Sequence, residues 1–284
     1  MAKDWDIEIT PRNNLFQLRL ADVWHYRDLL FLLVRRDFVS FYKQTILGPV
    51  WFFIQPVITI AIYTLIFGNL AGILTDGIPK PLFYLAGIII WSYFAECLTK
   101  TSTVFKDNAA MLGKVYFPRI IMPLSIVLSN LVKFGVQLLL FILLYAFYWL
   151  KADSSFAPNA AALLFPLIIL LIAAQGLGLG MLISAITTKY RDLAFVVAFG
   201  VPLLMYVTTV VYPLSEVQSR FPHYYLFIQL NPITALIETF RYGFFGSGSF
   251  SWAWLGYSVI TTMLILLAGT VVFNKVEKNF IDTV

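Results

Sequence analysis

The chain has 284 residues, 60% of them apolar and only 12% charged, against about 25% charged in soluble domains, and its mean hydropathy is +0.82. So few charges cannot cover a water-exposed surface, which excludes a soluble enzyme and points to one integral membrane domain. The formal net charge of +5 calls for no nucleic acid, because basic loops beside anionic lipid account for it.

The first 28 residues are too acidic and too broken by charge for a cleavable signal, which needs a basic start and a compact apolar run. The chain is therefore expected to begin on the side of the membrane where it is made. Over 22–43, Val23, Trp24, Leu30, Phe31, Val34, Phe38, Phe41 and Tyr42 share one helical arc, with His25, Asp28, Arg35, Arg36 and Lys43 on the other. This pattern predicts a helix lying in the cytoplasmic interface. Its charges leave too short an apolar run to cross about 30 Å of hydrocarbon.

Six runs are long and apolar enough to cross: 50–71, 82–99, 124–150, 163–187, 193–214 and 253–274. With the N-terminus inside, 15 of the 20 Lys and Arg residues fall in inner segments and four outside, Lys133 lying within the third span. That bias predicts cytoplasmic termini. Between the second and third spans, the cytoplasmic loop 100–119 mixes charge with Val104, Phe105, Met111, Leu112, Val115, Tyr116 and Phe117. Such a segment suits a short helix docked in a partner's groove, or one resting on its own bundle.

The outer stretch 215–250 contains apolar pieces too short or too charged to span. Asn231-Pro232 reads as a helix start and Gly243, Gly246 and Gly248 as its end. Two short helices dipping back into the outer leaflet are expected, as a gate at a pathway mouth or as a hairpin on the surface. The fold class is thus an all-α integral membrane domain of six transmembrane helices, with an N-terminal cytoplasmic interfacial helix and a re-entrant outer hairpin before the last span.

No GxxxxGK[ST] phosphate loop occurs: before Lys100-Thr101, Thr99 and Phe94 stand where glycines are required. Nucleotide hydrolysis is therefore not expected of this chain. Gly176, Gly180 and Ser184 repeat every fourth residue inside a span, the spacing that lets two membrane helices approach closely. Glu96 and Lys133 are the ionisable residues well inside spans, too few for a proton relay, and they are expected either to pair with each other or to snorkel separately. His25 and His223 are expected on opposite sides of the membrane, so no metal site is expected. The single Cys97 excludes an intrachain disulfide. Tyr63 and Tyr206 sit deep in spans, where a phenol needs a hydrogen-bond partner that lipid cannot supply. With Trp51, Gln55, Trp91, Tyr93 and Gln175 they are candidates for a hydrated path whose ring faces suit the C–H faces of sugars, although buried hydrogen bonds between helices would explain them nearly as well.

The run Arg35-Arg36-Asp37-Phe38-Val39-Ser40-Phe41-Tyr42-Lys43-Gln44-Thr45-Ile46-Leu47-Gly48-Pro49-Val50-Trp51, followed by Gln55-Pro56, closely resembles the start of permease subunits of type-2 ABC exporters. The similarity is to the branch that exports O-antigen, teichoic acid and capsule polysaccharides. It continues through Asn108, Leu112, Lys114-Val115-Tyr116-Phe117-Pro118-Arg119 with Pro123, Tyr190-Arg191-Asp192, Tyr212-Pro213 and Asn231-Pro232 with Glu238 and Arg241, covering nearly the whole chain.

The resemblance implies a six-span half-transporter that forms a homodimer and joins two separate ATPase subunits, which carry Mg-ATP. Its substrate would be a glycan on a polyprenyl pyrophosphate or similar lipid carrier, moved outward across a bacterial plasma membrane. It implies ATPase coupling through Lys106, Asn108, Lys114, Tyr116, Phe117 and Arg119. A carrier-pyrophosphate entrance near Arg35, Arg36, Lys43 and Arg191 would use charge-assisted bonds. The outer gate would include Asn231, Pro232, Glu238 and Arg241. Rival readings are an ABC permease for a drug or small lipid, a membrane enzyme acting on polyprenyl-linked sugars, and a passive channel or scaffold.

Overall fold

The computed structural model describes residues 20–43, 46–112, 117–151, 156–190 and 192–279. Every regular element among the described residues is helical. Two helices come first, α1 (Leu20–His25) and α2 (Arg27–Tyr42). α2 falls where the interfacial helix was expected, but its packed face only partly overlaps the expected arc. Tyr26, Leu29, Leu30 and Leu33, at i, i+3, i+4 and i+7, form the packed face, whereas Trp24, Phe31 and Leu32 stay exposed beside Arg27 and Arg35. Of the expected arc, Leu30 joins the packed face and Phe38 stacks on Phe52 at 6.0 Å, while Trp24 and Phe31 remain open.

α3 (Trp51–Tyr63) contains Pro56 and runs on as π-helical turns over Thr64–Leu70, so Trp51–Leu70 forms one 20-residue apolar rod. α4 (Lys80–Ser102) is the axis of the bundle, and nearly every side chain from Leu82 to Phe94 is buried. After the short α5 (Val104–Asp107) and α6 (Ala109–Leu112) come α7 (Ile121–Lys151), α8 (Phe165–Lys189), α9 (Leu193–Leu204), α10 (Leu214–Arg220), α11 (Pro222–Gln229), α12 (Pro232–Phe245) and α13 (Trp252–Asn279). Proline in the first turn of α4, α8, α11 and α12 supplies the helical φ where a missing N–H costs nothing.

α4 packs against α7 and α8, α8 packs against α13, and α2 lies on α7. Glycine sets the closest of these approaches. A Cβ on Gly176 would stand 2.7 Å from Cys97 Cβ, and one on Gly180 would stand 2.5 Å from Thr101 Cβ, both on α4. Gly178, two residues after Gly176 and so on the other side of α8, faces α13, where a Cβ on it would stand 2.9 Å from Leu266 Cα. The four-residue repeat is thus a packing seam, doubled by a second glycine facing the opposite neighbour.

Among the described residues, five helical stretches are long and apolar enough to cross a membrane: Trp51–Leu70, Lys80–Ser102, Ile121–Lys151, Ala160–Lys189 and Trp252–Val276. The stretch 193–214 does not form one continuous helix. α9 ends at Leu204, a 3₁₀ turn covers Met205–Val207, and Thr208–Pro213 is not helical. Twelve residues rise only about 18 Å. Thr208, Thr209, Val210 and Val211 are all β-branched, which lowers helix propensity there.

The molecule has two ends. At the basic end, carrying Lys100, Lys106 and Lys189, Thr187 Oγ1 donates to Ser102 O at 2.6 Å, and Phe105 stacks on Phe273 at 4.7 Å. At the hairpin end, 215–250 forms three short helices, not two. Asn231 Oδ1 caps α12 by accepting from Ile233 N at 3.1 Å, and Gly246 ends it with φ of 69°. Gly243 does not end the helix: it lies within α12, where a Cβ would stand 2.8 Å from Ala162 N.

Candidate functional site

The candidate path residues divide into three groups. Tyr63 of α3, Trp91 of α4 and Tyr206 beyond α9 line one cleft of about 550 Å³, which Glu96 and Lys100 border toward the basic end. Pro202 and Met205 form the wall opposite α4, so the broken end of α9 shapes the cleft. Tyr63 Oη donates to Met205 Sδ at 3.7 Å, and Tyr206 remains 48% exposed. Trp51 and Gln55 lie on the open face of α3 and are not part of that lining.

Tyr93 and Gln175 serve helix packing. Tyr93 Oη donates to Val127 O at 3.4 Å, and its ring meets Phe134 of α7 at 5.2 Å. Gln175 Nε2 donates to Thr262 Oγ1 at 2.7 Å and to Ser258 Oγ at 3.4 Å, tying α8 to α13. Both satisfy the polar groups of one helix with those of another, as a low-dielectric interior requires.

Charge at the basic end is organised around Glu96, whose Oε2 lies 2.7 Å from Lys133 Nζ and 3.8 Å from Lys100 Nζ. Of the two readings left open by the sequence, the mutual pair is the one that forms. Arg35, Arg36 and Lys43 are exposed on and just after α2 and do not border the cleft. Arg36 pairs with Asp37 at 2.8 Å, and Asp37 Oδ2 accepts from Ser129 Oγ of α7 at 3.4 Å. Arg191 lies outside the described residues.

Between α4 and α7, the apolar side chains Val104, Phe105 and Phe117 are buried against the chain's own helices, and Arg119 is also buried. Lys106 and Asp107 face outward, while Asn108 Nδ2 donates to Val104 O at 3.0 Å. Among the described residues of this segment, the exposed side chains are therefore Lys106, Asp107 and Ala110, and the expected apolar face at Val115 and Tyr116 lies outside the described residues. Lys114 and Tyr116 lie outside the described residues.

At the hairpin end, Arg241 is only 1% exposed. Its Nη1 donates to Thr209 O at 2.5 Å, and its Nη2 donates to Val210 O at 2.8 Å and Phe83 O at 3.4 Å. Glu238 Oε1 accepts from Nη1 at 3.4 Å, and the guanidinium lies over the Phe83 ring at 3.6 Å. A Cβ at Gly87 would stand 2.9 Å from Nη2, so glycine makes room for the charge. Burial pushes the Glu238 carboxyl upward from its ordinary range, and Arg241 opposes that. Asn231 and Pro232 act one turn or more away, as the cap and first turn of α12.

Several of these partners carry no sequence signal. The carbonyls of Thr209 and Val210 become acceptors only because the helix stops before them. Glu216 Oε2 accepts from Leu74 N at 3.1 Å, and Ser215 Oγ donates to Asp76 Oδ1 at 2.7 Å, fastening the loop after α3 to α10. Asp76 has a φ of 51°, and Gly72 and Gly77 also have positive φ, so glycine spacing was the available sign of a tight loop. Among the described residues no three of His, Cys, Asp and Glu form a metal-holding group.

A profile of the ABC-2 type transporter family matches residues 28–245. Over 268 residues the chain is 27% identical to the O-antigen export system permease protein RfbA of Myxococcus xanthus, covering 93% of this chain and 98% of that protein. A Klebsiella pneumoniae protein of the same name is 25% identical over 256 residues, 90% of this chain and 94% of that protein. The polysialic acid transport protein KpsM of Escherichia coli is 21% identical over 238 residues, 84% and 89% respectively.

Proposed function

Since the chain belongs to the ABC-2 type transporter family, we propose that it is the membrane subunit of an ATP-driven exporter that moves lipid-linked, O-antigen-like polysaccharide outward across a bacterial plasma membrane. The observation that carries this reading is similarity over nearly the full length of both chains to permeases named for O-antigen export. The absence of a phosphate loop from the sequence supports placing ATP hydrolysis and Mg-ATP on two separate ATPase subunits.

The cleft lined by Tyr63, Trp91 and Tyr206 is half of a path in this reading. A second copy of the chain completes it, because a closed conduit for a glycan needs more wall than one cleft open on its side. The broken α9 with residues 205–213 makes the sixth crossing, and α10 to α12 form the outer hairpin. The basic bias places both termini in the cytoplasm, where α2 lies in the interface and Arg35, Arg36, Lys43 and Arg191 meet the carrier pyrophosphate. Lys106, Asn108, Lys114, Tyr116 and Arg119 couple to the ATPase, and Phe117, buried in the chain's own core, anchors the segment that carries them.

The test is ATP-dependent translocation of a polyprenyl-linked glycan in vesicles holding this chain and its ATPase. Transport requiring both chains and ATP is the expected result. Intact assembly with ATP turnover but no glycan movement would shift the cargo to a drug or small lipid. Glycan chemistry without ATP would indicate an enzyme.

A further inference from the structure

At the hairpin end, a pocket of about 210 Å³ lies between α11, α12 and the start of α13. Its wall differs in kind from that of the neighbouring groove of about 460 Å³, where Ile73, Val217, Phe221 and Ile228 dominate. Here aromatic rings from Tyr225, Phe250 and Trp254 line the same volume as polar groups from Gln229, Thr234 and Glu238. Gln229, Thr234 and Glu238 are all more than nine-tenths buried. The combination of ring faces and mixed donors and acceptors is the one that a polyol ring requires, with its apolar C–H face and its rim of hydroxyls.

The polar groups are incompletely used. Thr234 Oγ1 is buried and has no hydrogen-bond partner. Glu238 Oε2 accepts only at 3.3 Å from Ser249 N and 3.5 Å from Ser249 Oγ, distances at the long edge of hydrogen bonding. Buried polar groups are normally satisfied, so such a set, beside an open volume, marks a place for an incoming partner. The volume equals about seven waters and falls below the roughly 300–1,000 Å³ of drug-sized sites. It fits one sugar ring and not a chain.

We infer that this pocket is a glycan subsite that holds one neutral hexose ring of the exported polymer at the hairpin end of the path. Glu238 and Thr234 accept hydroxyl protons, the Gln229 amide donates and accepts, and Trp254 or Tyr225 covers the C–H face. The anchor is preorganised, because Arg241 holds Glu238 from the side away from the pocket's mouth residues Ser249 and Ser251. The inference rests on the glycan-export reading for its ligand class, and on the pocket alone for its residues.

The test is saturation-transfer NMR on the full-length chain in lipid nanodiscs, with the methyl glycosides of mannose, galactose, glucose and rhamnose as probes and glycerol as an acyclic control. At least one glycoside should receive saturation at its ring C–H protons, and glycerol should not. Thr234→Val, which keeps the side-chain shape, should weaken that binding about fivefold, the factor for one buried hydrogen bond of about 1 kcal/mol. Ser251→Trp plugs the mouth from an exposed position and so spares the core; it should abolish the signal. No saturation from any glycoside, equal saturation of glycerol, or a signal untouched by both variants overturns the subsite. Export of glycan by a chain with no such binding overturns the subsite alone. Pocket-dependent binding in a chain that exports no glycan supports the subsite and overturns the export reading.

Discussion

Replacing Arg241 with Met removes the charge that holds the unwound segment after α9, the start of α4 and α12 together, while keeping an unbranched apolar chain over Phe83. Two of its hydrogen bonds, to Thr209 O and Val210 O, are short; those to Phe83 O and Glu238 are long. Removing one partner of a buried pair costs about 3–5 kcal/mol, because the other charge stays buried and unpaired. Here backbone carbonyls also lose their donors. At about 2–4 °C per kcal/mol for a chain of this size class, the apparent melting temperature should fall by roughly 6–20 °C, followed by intrinsic fluorescence in detergent. Glu238→Gln should be milder, since Arg241 keeps three carbonyl acceptors while Glu238 has only Arg241 and Ser249. The double variant should recover part of the loss, as the stranded carboxylate is gone. A drop below about 3 °C for Arg241→Met would refute the assignment of Arg241 as the clasp on the unwound segment.

Gly180→Val should abolish monodisperse protein, because its Cβ would overlap Thr101; overpacking usually costs about 1–3 kcal/mol, and here backbone as well as side chain must move, which size-exclusion profiles would reveal. Gln175→Leu should lower stability by about 1 kcal/mol and leave the rate of glycan export unchanged, whereas a path residue would show the reverse in the vesicle assay. Tyr206→Ala, at a half-exposed position in the cleft, should slow export severalfold with a melting temperature within about 2 °C of the parent. Phe117→Ala should cost about 3–5 kcal/mol in thermal stability, since the ring is buried in the chain's own core. Lys106→Glu should instead uncouple ATP turnover from export without a stability change.

Periodicity and small-residue spacing carried much of the fold. Five of the six apolar runs became long helices, Gly176 and Gly180 became the α4–α8 seam, Asn231-Pro232 became a capped helix start, and Glu96 met Lys133. Each of these depends on local pattern or on one strong physical requirement, which a sequence displays directly. What hydropathy could not show was continuity: 193–214 is apolar throughout, yet its β-branched half leaves the helix. Burial was equally hidden, because Phe117 and Phe31 look alike in sequence while one enters the core and the other stays exposed.

The break in α9 links the separate parts of the candidate site. Unwinding after Leu204 brings Met205 and Tyr206 to the cleft wall, and a few residues later it frees the carbonyls of Thr209 and Val210. Free carbonyls in a low-dielectric interior need donors, and Arg241 supplies them from α12. The helix that supplies this cation also carries Glu238, whose other oxygen faces the small polar pocket. A displacement of α12 would therefore disturb the clasp, the carbonyls and the cleft wall together. In the export reading, this is the physical means by which opening at the hairpin end would be felt inside the path: Arg241 holds the carbonyls of Thr209 and Val210, three and four residues after Tyr206 on the same unwound segment. Covalently locking α12 to α4 through a cysteine pair should accordingly leave ATP binding by the partner intact and stop glycan movement. Continued export by a fully cross-linked protein would show that the hairpin end does not have to move.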